Sequence, residues 1–277
     1  MSAVLTPERE RPPQTRRPWY RRRWFIITAV VLLLAAAAGG GIWWFLKDDA
    51  PSAVNIESAT QSLDASTTSA AASPTTAAAA DTATTAAATT PAAVAGTWTV
   101  DTSVGEFSFD DSTGTFVGFR VQEELSTIGS TTAVGRTPTV SGETTFDGTT
   151  LTAATIEADM SAISTNESRR DDRVQDALET GKFPTATFVL TQAIDLGDAV
   201  NSGTATTVDA TGDLTIHGVT TPVTLPLEAQ LVGDTIVVVG SLDIALSTYG
   251  VEAPSAPIVV SVSDQAQIEL QLFFAQA

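Results

Sequence analysis

The strongest constraint on the fold is a strict two-residue alternation of apolar and polar side chains in the C-terminal part of the chain. The alternation covers residues 223–231, VTLPLEAQL, and residues 266–274, AQIELQLFF. Successive side chains of a β-strand point to opposite faces, so each run predicts a strand with one apolar and one wetter face. A helix has a period of 3.6 residues and would scatter these apolar positions around its surface.

Further strand-like runs fill the rest of the region from Gly96 to the C-terminus. Glycine and Asx turns such as FDGTT and VGDTI separate several runs at hairpin spacing. When a sheet of antiparallel hairpins closes into a barrel, no edge strand is left unpaired. We therefore expect an all-β antiparallel barrel over residues 96–277, with a bulge or seam at Pro226, which lacks an amide donor. The other runs are 98–102, 115–124, 137–146, 149–160, 185–194, 208–216, 235–246 and 258–262.

One stretch, STNESRRDDRVQDALETGKFP over residues 164–184, interrupts the strand pattern. Ser164 and the residues after it can cap a helix at its start. Val174, Ala177 and Leu178 give the helix an apolar face, and GKFP ends it. We expect one short helix that covers an end of the barrel.

An uncharged segment of 23 residues, Trp24–Leu46, lies near the N-terminus. As a helix it is roughly 34 Å long, enough to cross a bilayer. Residues 1–23 contain seven arginines and two glutamates, which marks them as a cytoplasmic basic tail. The alternative is a cleaved signal peptide, since AAAAGGG offers a processing site. The apolar stretch continues past these glycines and exceeds a usual signal core, which favours a transmembrane helix with an extracytoplasmic C-terminal domain.

Residues 47–95 consist mainly of alanine, threonine and serine, with no apolar periodicity. Such a segment buries too little surface to offset its chain entropy. We interpret it as a disordered linker that tethers the barrel to the transmembrane helix.

Composition excludes several classes of chemistry. The chain has no cysteine and one histidine, so we expect no thiolate site, no multi-histidine metal site and no cofactor. A net charge of −18 argues against binding of nucleic acid. A single histidine in a sheet protein gives no catalytic triad, so we predict that the protein is not an enzyme. His217, at the end of an apolar strand and before Gly218, is interpreted as a turn residue, with a ligand contact as the alternative.

Two segments together resemble the YceI-like family. They are SAISTNESRRDDRVQDALETGKFPTATF and GDLTIHGVTTPVTLPLEA, with weaker support from STYGV and SDQAQIELQLFF. The resemblance covers residues 96–274. It implies a lipocalin-like antiparallel barrel that binds a long apolar lipid, a polyisoprenoid or an isoprenoid quinone. The alternative is a ligand-free module that interacts with cell-envelope partners.

The inward apolar positions of the sheet are the candidate ligand contacts. Their pattern alone leaves two alternatives, a ligand tunnel or a solid core, and the resemblance favours the tunnel. These positions are Ile156, Met160, Ile163, Phe188, Leu214, Leu225, Leu227, Ile268, Leu270 and Leu272.

Three arginines of the predicted helix are a second candidate contact. Arg169, Arg170 and Arg173 could hold the phosphate of an isoprenoid head group. The alternative is a solvated helix face with weak local ion pairs.

Overall fold

The computed structural model describes residues 50–61, 63, 94–109, 113–126, 129–253 and 259–277. These residues form one antiparallel sheet of twelve strands, a helix α1 (Ser168–Ala177) and three 3₁₀ turns at Met160–Ala162, Asp198–Ser202 and Leu246–Tyr249. Residues 56–61 are also helical. The strands are β1 (Gly96–Val100), β2 (Phe116–Leu125), β3 (Gly129–Thr137), β4 (Val140–Asp147), β5 (Thr150–Asp159), β6 (Ser164–Thr165), β7 (Thr185–Leu190), β8 (Ile194–Asp195), β9 (Thr206–Ile216), β10 (Val219–Val232), β11 (Thr235–Ala245) and β12 (Val259–Gln276).

Eight strands close into a barrel in the order β1, β4, β5, β7, β9, β10, β11, β12, because β12 returns to pair with β1. The long strand β12 pairs with β11 along one edge. Its other edge pairs with β2 over its first part and with β1 near its end. Strand β3 extends the sheet from β2. The predicted all-β antiparallel barrel with a short helix is confirmed.

Three tight hairpins set the register of the barrel. Two-residue loops join β4 to β5, β9 to β10 and β10 to β11, where Asp147 pairs with Thr150, Ile216 with Val219, and Val232 with Thr235. The turns predicted within FDGTT and VGDTI are the first and third of these loops. Such loops match the right-handed twist of the strands they connect.

Strand β3 was not expected from the sequence. Its residues, GSTTAVGRT, show little apolar alternation, and the predicted strand began only at residue 137. Asn166, just after β6, holds β3 in place, because its Oδ1 accepts from the Val134 amide (3.1 Å) and its Nδ2 donates to the Thr132 carbonyl (3.2 Å). The two strands predicted at 258–262 and 266–274 are instead one strand, β12, whose register shifts between Val262 and Ala266.

Strand β10 separates from β11 along part of its length. It pairs with β9 from Val219 onwards but with β11 only from Leu227 onwards. Successive residues of a strand direct their backbone hydrogen bonds alternately to the two neighbouring strands. Val232 forms the closing pair of the β10–β11 hairpin, so the even-numbered residues of β10 direct theirs toward β11. Pro222 and Pro226 therefore lack the amide donor that this ladder requires. The predicted seam at Pro226 is the point where the ladder with β11 ends.

Residues 50–61, which we call the strap, lie against the outside of the barrel. The sequence analysis placed them within the disordered linker over 47–95, so the folded domain contains more of the chain than we expected. The apolar residues of the strap cover an apolar patch on two strands, and the buried members of this cluster are Ile56, Ala59, Val237, Val239 and Phe273.

Polar residues on the outer side of β12 are buried rather than solvent-exposed. Glu269 is 1% exposed and Gln271 is 4% exposed. The Gln271 side chain donates to the Gly114 carbonyl (2.9 Å), and the Phe273 amide donates to the Thr115 hydroxyl (3.2 Å). The loop before β2 and the strap thus cover this face together.

Glu269 is the centre of a buried ion-pair cluster beneath the strap. Its two carboxylate oxygens each accept from a guanidinium Nε at 2.8 Å, one from Arg120 and one from Arg136. Each guanidinium also donates to a backbone carbonyl of the strap, Arg120 to Pro51 and Arg136 to Ser52 (3.0 Å). Arg136 donates in addition to the Phe109 carbonyl (3.2 Å). The guanidinium of Arg136 also stacks over the ring of Phe116 at 4.4 Å. The cluster links the strap to the sheet.

The other N-terminal predictions concern residues that the structure does not describe. The basic tail over 1–23, the transmembrane helix Trp24–Leu46 and most of the linker lie outside the described residues. Among the described residues, no helix has the length and apolar character that crossing a bilayer requires.

Replacing Glu269 with glutamine should destabilise the domain strongly. The substitution preserves shape but leaves two guanidiniums without a counter-charge, one of them 3% exposed. Removing one partner of a buried ion pair costs about 3–5 kcal/mol of unfolding free energy. Urea denaturation measures the change, with Glu124→Gln, an exposed position on β2, as the matched control. Equal midpoints for the two variants would contradict a stabilising role for the cluster.

Candidate functional site

The inner face of the barrel surrounds an apolar cavity of about 140 Å³. Side chains from β2, β4, β5, β7, β9, β10, β11 and β12 line it. None of the described residues that line it is charged. Its polar lining consists of Thr144, Thr187, Thr204, Thr206 and Gln230. The cavity therefore offers an almost entirely hydrocarbon surface.

The structure brings together eight of the ten apolar residues that we proposed as ligand contacts. The other two lie elsewhere: Met160 is buried in the main core cluster, and Ile163 is buried at the end of a 3₁₀ turn, and neither lines the cavity. The eight that line it are Ile156, Phe188, Leu214, Leu225, Leu227, Ile268, Leu270 and Leu272. Their contact with a ligand remains a prediction.

A second buried cluster fills the end of the barrel next to His217 and helix α1. Tyr249 is the largest side chain of this cluster and is 1% exposed. The buried members are Val121, Ala133, Ile216, Ile244, Tyr249, Val251 and Ala266.

The opposite end of the cavity reaches the surface. Leu196, just before the 3₁₀ turn Asp198–Ser202, and Val200, within that turn, are half-buried. Thr204 is exposed. All three line the cavity. Gln230 lines it nearby, and its Nε2 donates to the Gly203 carbonyl at 2.9 Å. We call these four residues the mouth. Sequence reasoning missed Leu196, Val200 and Thr204 because they lie outside the regular strand pattern, where only the spacing of Leu196 and Val200 hints at an inward apolar side. It missed Gln230 because the alternation over 223–231 assigns that residue to the polar face of its strand.

His217 is the first residue of the two-residue turn between β9 and β10. Its φ is 53° and that of Gly218 is 73°. Positive φ at both central residues defines a type I′ hairpin turn. A Cβ atom at Gly218 would lie 2.4 Å from the Phe183 ring, so the second position requires glycine. The role of His217 as a turn residue follows directly from this backbone conformation.

The His217 ring connects this turn to the 3₁₀ turn Leu246–Tyr249. Its Nδ1 lies 3.1 Å from the Tyr249 carbonyl oxygen, and because a carbonyl only accepts, Nδ1 carries the proton. Its Nε2 is 3.7 Å from a Glu179 carboxylate oxygen, beyond hydrogen-bond range. Phe183 packs edge-on against the ring with centroids 4.9 Å apart. His217 does not line the cavity.

Tyr249 of the same 3₁₀ turn and Asp264 of β12 have shifted pKa values. Burial raises the pKa of the Tyr249 hydroxyl above its ordinary value of 10.0, with a smaller opposing effect from the Thr221 side chain, so the hydroxyl is protonated at neutral pH. Ser247 donates to Asp264 from its hydroxyl (2.7 Å) and its amide (2.9 Å). These bonds lower the pKa of the Asp264 carboxyl. The Asp264 carboxylate attaches the turn to β12, and neither Tyr249 nor Asp264 lines the cavity.

The three arginines of helix α1 are not gathered at the cavity. Arg170 forms an ion pair with Glu123 of β2 and donates to Asn166 Oδ1 at 2.7 Å. Arg169 and Arg173 are exposed. None of the three lines the cavity. Arg170 therefore attaches the helix to the barrel, and the other two remain solvated.

Metal chemistry finds no support in the described part of the chain. It contains no group of three or more His, Cys, Asp or Glu side chains that could hold a metal ion.

Comparison with known proteins identifies related sequences and folds. The model of the YceI-like domain family matches residues 55–274. A UPF0312 protein of Vibrio vulnificus is 34% identical over 109 residues, which are 38% of this chain and 54% of the relative. Protein YceI of Escherichia coli O157:H7 is 36% identical over 122 residues, 43% of this chain and 56% of the relative. The chain thus spans about half the length of the curated relatives it matches.

Two solved structures have similar folds at low sequence identity. A polyisoprenoid binding domain from Saccharophagus degradans is 22% identical, with a TM-score of 0.49, and the match covers 65% of this chain and 98% of that one. BcnA of Burkholderia cenocepacia is 23% identical, with a TM-score of 0.45, and the match covers 57% of this chain and 95% of that one.

Substitution of His217 should lower stability without changing binding in the cavity. His217→Ala removes the hydrogen bond to the Tyr249 carbonyl and should lower the unfolding free energy by about 1–2 kcal/mol. His217→Asn tolerates positive φ and should lose less. Thermal unfolding measures stability, and the fluorescence of a neutral apolar probe such as N-phenyl-1-naphthylamine measures binding. A stable His217→Ala variant that loses probe binding would contradict this assignment and favour the ligand-contact alternative.

Proposed function

Because the chain belongs to the YceI-like family, we propose that its barrel binds a long apolar lipid, a polyisoprenoid or an isoprenoid quinone, inside the cavity. The observation that carries the proposal is the cavity lining, which contains no charged residue among those described and few polar ones. The proposal assigns no catalytic step to the protein.

The energetics of such binding depend on hydrocarbon burial. Each methylene group transferred from water into an apolar site contributes about 0.8 kcal/mol. A chain of several isoprene units could therefore bind tightly without specific hydrogen bonds. The absence of charge from the described lining supports this mode, since a charged group would have to remain solvated or be paired.

The volume of the empty cavity sets a condition on this proposal. At about 140 Å³ it is close to an engineered cavity of about 150 Å³ that takes up benzene. A longer chain must therefore push lining side chains apart or extend through the mouth. Many lining residues, among them Leu227, Val238 and Ile268, are half-buried rather than fully packed, which leaves them room to move.

The small volume also favours a second candidate function. A barrel that never holds a ligand would act as an interaction module whose outer surface meets cell-envelope partners. The two functions differ in what the cavity contains in the cell.

Purifying the protein from its native host and extracting bound lipid from it distinguishes these two functions. We expect organic extracts of the purified full-length chain to contain an isoprenoid lipid in near-stoichiometric amount, identified by mass spectrometry. Ala229→Trp fills the cavity beside the mouth and should reduce the lipid at least tenfold, while Thr224→Trp, on the exposed outer side of the same strand, should not. Repeated preparations of a folded, lipid-free protein would favour the interaction module.

We also propose the location of the barrel. The uncharged segment Trp24–Leu46 and the arginines before it support a single membrane anchor with a cytoplasmic N-terminus. The barrel would then lie outside the cytoplasmic membrane, close to the bilayer in which isoprenoid lipids reside.

Protease treatment of intact spheroplasts tests this orientation. An epitope tag at the C-terminus should be lost while a tag at the N-terminus remains protected until the membrane is permeabilised. Protection of both tags in intact spheroplasts would place the barrel in the cytoplasm and contradict the proposed location.

A further inference from the structure

The mouth of the cavity is where the polar end of an inserted lipid would lie, if the proposed function is right. Its polar side chains are the hydroxyl of Thr204 and the amide of Gln230, with Thr206 close by in the chain. Hydroxyl and amide groups both donate and accept hydrogen bonds. Neither type of group compensates a full negative charge as a guanidinium or ammonium would.

Exposed carboxylates surround this end of the barrel. Asp195 and Asp198 flank Leu196 in the segment that lines the mouth, and the Asp195 carboxylate accepts from the Gly197 amide at 3.0 Å. Asp147 lies at the β4–β5 turn beside β8, because it pairs with Thr150, which pairs with Asp195. Asp234 lies in the β10–β11 turn. We call these four exposed aspartates the rim.

All cationic side chains of the described residues lie away from the rim. Arg120 and Arg136 are engaged with Glu269 on the outer face of the barrel. The others are on or just after helix α1, namely Arg169, Arg170, Arg173 and Lys182. Helix α1 adjoins the His217 turn, at the start of β10, whereas the mouth adjoins Gln230, near its end. Along a strand of 14 residues this separation is roughly 40 Å.

From this charge distribution we propose that the mouth selects lipids whose polar end is uncharged and disfavours phosphorylated lipids. A lipid inserted tail first would place its head group beside Thr204 and Gln230, within the field of four carboxylates. A hydroxyl or carbonyl head group gains hydrogen bonds there. A phosphate, with a charge of about −1.5 to −2, meets repulsion and no counter-charge.

The expected selectivity is moderate because the rim is exposed to solvent. Charges about 10 Å apart in water interact weakly, and at about 0.1 M salt this distance is one Debye length. Four carboxylates acting on a phosphate of nearly two charges together should weaken binding about tenfold. The effect should shrink at high ionic strength, since screening then shortens the range of the repulsion.

A matched pair of lipids tests the proposal. Farnesol and farnesyl monophosphate share one tail and differ only in the head group. Each would be used to displace N-phenyl-1-naphthylamine, a neutral apolar fluorophore, from the purified full-length chain at low salt. We expect farnesol to displace the fluorophore at a concentration about tenfold lower than farnesyl monophosphate does, and the ratio to fall in about 0.5 M salt.

Charge variants assign the selectivity to the rim. Asp198→Lys places a cation beside the mouth and should improve displacement by farnesyl monophosphate several-fold while leaving farnesol unchanged. Asp172→Lys makes the same change of charge at an exposed position of helix α1, at the far end of the barrel, and should leave the ratio unchanged. A ratio that does not respond to Asp198→Lys would overturn the role of the rim.

The outcomes separate this inference from the proposed function. Equal or stronger displacement by farnesyl monophosphate overturns the selectivity but leaves lipid binding intact. If that preference disappears when Arg169, Arg170 and Arg173 are replaced by glutamine, the head group lies at the helix end instead. A fluorophore that does not bind, or that neither lipid displaces, overturns both the selectivity and the proposed function.

Discussion

The hydrogen-bond ladder that returns β12 to β1 is the constraint on which this structure depends. A closed ladder satisfies the backbone donors and acceptors of the sheet within the sheet itself. The interior then needs no polar side chains to pair with the backbone. Because of this closure the inner face can be almost purely apolar, and a cavity lined by leucine, isoleucine and phenylalanine can exist inside it. An open sheet with the same residues would present an edge that must find a partner.

Charge is consequently kept out of the described cavity lining, and part of the charge on the outer face is buried. Glu269 and the inner-facing Leu270 are neighbours in β12, yet one lies in an ionic cluster and the other at an apolar cavity. Two guanidiniums around one carboxylate would be costly to bury alone. A carbonyl oxygen of the strap accepts a hydrogen bond from each guanidinium, which makes the strap a structural part of the domain.

Alternation of apolar and polar residues was sufficient to predict the barrel, most of its strands and eight residues that line the cavity. Periodicity reports only whether a position is apolar. It therefore could not reveal β3, whose small and polar residues are held by Asn166, nor the burial of Glu269 beneath the strap. The strap itself was read as linker because Ile56 and Ala59 are too few to form a visible pattern. Three of the four mouth residues lie in irregular backbone or a 3₁₀ turn, which sequence patterns describe least well.

The prolines of β10 have a consequence for how copies of this protein meet. Where β10 leaves β11, a stretch of its backbone has no partner strand on that side among the described residues, the kind of edge on which a foreign chain can add and start a fibril. Pro222 and Pro226 remove two of the donors that such an intruder would need. The local opening in the wall is therefore poor at templating amyloid-like assembly.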